Sequence, residues 1–173
     1  KMISLVLNKF ATLDPLGMGV EMESEKPGWS DAMNGLPGIF GSSMPETYEL
    51  IRYCEFIIDL LKEFESDIGE VLLPVEIYKF LTQVYSNVEE FYQSQVEDKN
   101  HVYWDKVANT REVYRKEVFY GFNGEEKPLP LEKILQIIEL FLQKIKLGVE
   151  RALQMNDGVY PTYFYFEAKK YSI

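Results

Sequence analysis

The chain has 173 residues, with 18 Lys and Arg against 28 Asp and Glu, a formal charge of −10. Its 46% apolar and 14% aromatic content is that of a folded globular chain, far too rich in Phe and Tyr for an acidic disordered tail. The charge balance argues against nucleic-acid and anionic-membrane partners, which need a face dense in Lys and Arg, and leaves a neutral ligand such as a sugar open.

Residues 1–8 have too short an apolar run for a signal peptide and no convincing cleavage site. A start at Lys1 fits an excised piece of a longer polypeptide. Six of the 11 glycines and four of the 8 prolines precede residue 46, so residues 1–44 read as a loop region with short extended pieces. A loop of that length usually carries function. Within it Glu21, Glu23 and Glu25 alternate with Val20, Met22 and Ser24, which places the three carboxylates on one face of an extended segment. For Glu21 an ordinary solvated strand face explains the pattern at least as well.

Helical periodicity starts at Met44. The first helix is expected over residues 44–65, with Ser43 and Glu46 at capping-box spacing. Leu50, Cys54, Ile57 and Leu61 lie on its apolar stripe, so Cys54 reads as buried filler, and a single Cys implies no internal disulfide. A second helix is expected over 74–95 and a third, more charged, over 101–119 with Glu112 paired to Lys116. His101, the only histidine, reads as an exposed residue at that helix start, which excludes histidine-based metal clusters and Ser-His-Asp chemistry. Arg111 and Arg115, one turn apart, read as part of a charged face. A fourth helix is expected over 131–154; Lys144 is among the polar residues that keep it from being a membrane span. The aromatic tail from 158 reads as an extended segment packed across helix ends. The fold class is mainly α: a loop segment at 1–44, helices at 45–157 and a tail at 158–173, in one region.

The chemistry-bearing stretch is Lys26-Pro27-Gly28-Trp29-Ser30-Asp31-Ala32-Met33-Asn34-Gly35-Leu36-Pro37-Gly38. A Trp face stacks on the apolar face of a pyranose, and a nearby carboxyl group can protonate a sugar oxygen. The same residues also fit a packing anchor at Trp29 and a turn or cap at Asp31, and spacing alone leaves both readings open.

Gly28 to Asn34 resembles the Asp-Trp-Asn-Asp-Gly-Met-Asn loop of cellobiose phosphorylases and related disaccharide phosphorylases. The stretch from Glu23 to Gly41 is similar to bacterial cellobiose phosphorylase-like proteins with a Lys-Pro-Gly-Trp-Asn-Asp-Ala loop followed by Gly-Leu-Pro-Gly. The resemblance implies an (α/α)6 barrel, of which these helical hairpins would form the C-terminal part after the Gly/Pro-rich loop. It implies Asp31 as the general acid, Trp29 in the wall of the sugar site and Asn34 as a loop-fixing or sugar-contacting residue. Glu23 and Glu25, beside the motif, are candidate sugar contacts. Gly28 replaces the first motif Asp, Ser30 an Asn and Ala32 a Gly; the firm match covers about a fifth of the chain.

The expected activity is therefore phosphorolysis or hydrolysis of a glycosidic bond by a cytoplasmic enzyme of which this chain is a part, inactive alone. The expected partners are a di- or oligosaccharide and the remainder of the parent polypeptide, with self-association open and neither nucleic acid nor membrane involved. No cofactor or metal is expected, with inorganic phosphate as a candidate co-substrate. The alternatives are an inverting glycoside hydrolase, and a non-catalytic helical module that binds carbohydrate or protein.

Overall fold

Helical hydrophobic spacing dominates the architecture of residues 1–21 and 41–166, the parts of the chain that the computed structural model describes. The first helix, α1 (Met2–Phe10), forms where the glycine and proline count suggests loop. That expectation is corrected by position: the glycines begin only at residue 17, and Val6, Leu7 and Phe10 share one face. All three are buried, and the Phe10 ring stacks on Phe141 with centroids 3.9 Å apart.

Four longer helices follow: α2 (Met44–Glu63), α3 (Val75–Gln93), α4 (Lys99–Glu117) and α5 (Leu131–Met155). Their limits lie within two residues of those read from periodicity. Helix α5 is central: Ile134, Ile137, Ile138, Phe141 and Ile145 have no exposed surface, and the helix packs on α2 and α3. Each such side chain, moved from water to the core, contributes about 1.5–3 kcal/mol. Cys54 sits in this core, fully buried. His101 is exposed in the first turn of α4.

Two local pairings differ from the expected ones. Ser43 precedes α2 but makes no side-chain capping bond. Its backbone is extended (φ −102°, ψ 117°) and paired in a sheet, while Glu46 forms an ion pair with Lys9 of α1. Tertiary partners thus take both halves of the capping box. Glu112 pairs with Arg115 at 3.2 Å, not with Lys116.

Short strands stitch the helix ends together. β1 (Val20–Glu21), β2 (Gly41–Ser43) and β5 (Tyr163–Tyr165) form an antiparallel sheet in the order β1-β2-β5, with Glu21 opposite Ser42 and Ser42 opposite Phe164. The aromatic tail packs as expected: Phe164 and Phe166 lie against the cluster of Met18, Met44, Val149 and Ala152, and the Tyr48 hydroxyl donates to Pro161 O at 3.1 Å.

A second sheet pairs β3 (Glu70–Pro74) with β4 (Glu126–Pro130). Sequence reading takes these prolines only as breaks. Val75 N donates to Glu125 O and Leu131 N to Gly69 O, so alternate residues between them face across the ladder and Pro74, Pro128 and Pro130 face outward. The missing proline N–H groups therefore cost the ladder nothing and blunt its edges. Both strands run directly into helices through Leu73-Pro74 and Leu129-Pro130, with the prolines extended at φ −48° and −54°.

Candidate functional site

Trp29, Asp31, Asn34, Glu23 and Glu25 all lie in residues 22–40, outside the described residues. The structure does define where that segment leaves and rejoins the fold. It departs after Glu21 and returns at Gly41, on neighbouring strands of one antiparallel ladder. The 19 residues between thus start and finish about 5 Å apart across the ladder.

Glu21 is tied to α4 at this root. Trp104 Nε1 donates to Glu21 Oε1 at 2.7 Å, and Arg111 Nη1 donates to Oε2 at 3.2 Å. The same Arg111 nitrogen reaches Ala11 O at 3.2 Å, just past the end of α1. Trp104 and Arg111 are seven residues apart, two helical turns, and so project from one face of α4. The backbone is held too: Glu21 N donates to Thr12 O at 2.7 Å, and Val20 N to Thr47 Oγ1 at 3.1 Å. Arg111 is therefore a cross-chain anchor and not simply part of a charged face. Nothing in the α4 sequence marks Trp104 and Arg111 for that role, because their partner is more than 80 residues away in the chain.

Asp14 organises the turn before β1. Its Oδ1 accepts from Leu16 N and Met18 N, each at 3.0 Å, and its Oδ2 from Gly19 N and Ser42 Oγ, each at 2.7 Å. Four donors satisfy a carboxylate that is 2% exposed, and the Ser42 bond joins the turn to β2. Asp14-Pro15 with two nearby glycines is turn chemistry visible in the sequence.

Lys144 of α5 points inward beneath this turn, 1% exposed. Its Nζ lies 4.4 Å from the Phe91 ring centroid and 4.8 Å from that of Tyr103. Gly17, at φ +70°, makes the room; a Cβ there would sit 2.6 Å from the amine. Burial lowers the Lys144 pKa to about 8, Arg151 and Lys99 push the same way and Asp14 opposes them. Sequence reading treats Lys144 as a polar interruption, yet its spacing from Phe141 and Gly148 puts it on the buried arc of α5. Ring faces enclose the amine, so it acts as an internal cation joining turn, α3, α4 and α5.

A groove of about 460 Å³ runs along α5, lined by Tyr92, Leu142, Leu147, Gln143, Glu139 and Glu150, with Lys146. Glu139 and Glu150 are eleven residues apart, about 16 Å along a helix. Inverting glycoside cleavage uses carboxyl groups about 6.5–9.5 Å apart, so this pair does not supply that chemistry. Among the described residues no group of three or more His, Cys, Asp and Glu side chains is placed to hold a metal ion. No helix among them is long and apolar enough to cross a membrane.

The class defined by these features is a mainly α protein with two small antiparallel sheets, one of which carries both ends of the motif segment. No protein-family model and no curated protein matches the chain.

Proposed function

We propose that this chain is part of a carbohydrate-active enzyme of the disaccharide phosphorylase type, with Asp31 as its general acid. The observation that carries the reading is the Gly28–Asn34 motif, in which Trp29 and Asp31 keep the family positions. The scaffold supports it: four helices of 19 to 25 residues joined by short connections suit part of an (α/α)6 barrel, and the remainder of the parent polypeptide completes the ring. In the reaction Asp31 protonates the glycosidic oxygen as the bond to the anomeric carbon breaks. A phosphate oxygen forms the new bond from the opposite face, giving a sugar 1-phosphate and a free sugar. Trp29 stacks on the sugar ring, and Glu23, Glu25 and Asn34 contribute polar contacts.

Asp31→Asn in the intact protein tests the assignment with cellobiose plus inorganic phosphate. Turnover is expected to fall at least about 100-fold, as for loss of a general acid; unchanged turnover of this unactivated disaccharide removes Asp31 from the role. Comparing sugar 1-phosphate with free-sugar release separates a phosphorylase from an inverting hydrolase. The second reading, a non-catalytic carbohydrate-binding or interaction module, is favoured by one residue: Gly28 stands where the family has a carboxylate. Calorimetric binding of oligosaccharide with no turnover by the intact protein supports it.

A further inference from the structure

We infer that Glu21, held by Trp104 and Arg111, is a positioning residue that fixes the orientation of the motif segment on α4. The inference rests on the functional reading above and adds residues that the motif does not contain. Both carboxylate oxygens of Glu21 are engaged, one by an indole N–H at 2.7 Å and one by a guanidinium at 3.2 Å. Two donors of different shape fix the plane of the carboxylate as well as its place. The ion pair is sheltered, with side chains 27% and 18% exposed, so solvent screens it less than the surface pairs of α4.

The location gives the clamp its consequence. Glu21 opposes Ser42 in the ladder, and the segment between them begins and ends at that pairing. Register fixes the two ends relative to each other but leaves open how the segment as a body is turned relative to the helices. The Glu21 side chain is what joins its root to α4, while Arg111 also holds Ala11 O and Thr12 O takes the Glu21 amide. Helix α4 thus contributes alignment to a reaction whose acid it does not carry, and misalignment of about 1 Å can cost on the order of 100-fold in rate.

The test uses the intact protein with cellobiose and inorganic phosphate as the probe. Glu21→Ala is expected to lower kcat at least about 10-fold while KM changes less than about 2-fold, with the melting temperature near wild type. Glu21→Gln keeps an acceptor for Trp104 and is expected to recover part of that loss. Arg111→Lys keeps the charge, loses the fork and is expected to fall between them. Arg115→Lys, on the exposed side of α4, is the control and leaves kcat unchanged. Unchanged kcat in Glu21→Ala overturns the inference, as does a loss in Glu21→Ala and Arg111→Lys that only tracks the fraction unfolded. Absence of turnover by the wild-type protein with and without phosphate overturns the functional reading itself, and the clamp's catalytic role with it.

Discussion

Taking an ammonium group out of water disfavours its charged form, and at Lys144 two ring faces and the carboxylate of Asp14 offset only part of the cost. The folded-state pKa of about 8 lies below the ordinary 10.5. Between those values the unfolded chain holds more protons than the folded one, so the Lys144 contribution to stability grows as pH rises. From pH 8 to 9 the gain is about 1 kcal/mol, or about 3 °C in melting temperature. Above pH 9 the opposite sign enters through Cys54, whose thiol burial pushes up to about 12, and above pH 10 through Tyr103, also raised by burial. Melting curves of wild type and Lys144→Met isolate the effect: the variant lacks the rise and at pH 7 is more stable by about 2 kcal/mol. Gly148 is the sharper steric constraint, because a Cβ there would fall 1.7 Å from the backbone oxygen of Gly17. Gly148→Ala is expected to cost about 3 kcal/mol, measured by denaturant unfolding.

At the scale of elements, strand position decides what a proline does. Pro128 faces away from the β3–β4 ladder, whereas Lys127 faces into it. Pro128→Ala is therefore expected to leave the chain within about 0.5 kcal/mol of wild type. Lys127→Pro, one residue earlier, removes a ladder bond and is expected to cost about 2 kcal/mol; equal losses in the two variants would contradict the ladder geometry. The same logic explains which elements are legible from composition. Helices α2 to α5 repeat apolar residues often enough to declare their period, while strands of two to five residues offer no period to count. The β3–β4 pair joins segments more than 50 residues apart, and its prolines disguise it further. Helix α1 was obscured by averaging nine helical residues with the glycine-rich turn that follows.

For the molecule as a whole, a charge of −10 on 173 residues produces self-repulsion that salt screens. Raising the salt concentration from about 0.01 to about 0.15 M is expected to raise the melting temperature by a few degrees. Cosedimentation with phosphatidylserine vesicles is expected to stay at background at either concentration; binding at the lower one would reveal a basic patch that composition hides.

Composition and periodicity by themselves determined that the chain is acidic and mainly helical, that Cys54 is buried and where the four long helices run. The sequence motif also nominated Trp29 and Asp31, because local chemistry can be read from local spacing. Tertiary structure alone decided which side chains meet around the motif's root. Glu21, Trp104 and Arg111 come from positions up to 90 residues apart, and Asp14 meets Ser42 across 28. Ser43 and Glu46 abandon their local capping pattern because a strand and Lys9 compete for them. Periodicity records which face of an element avoids water, whereas hydrogen bonds between distant residues depend on how the faces come together, and that is set only when the core closes.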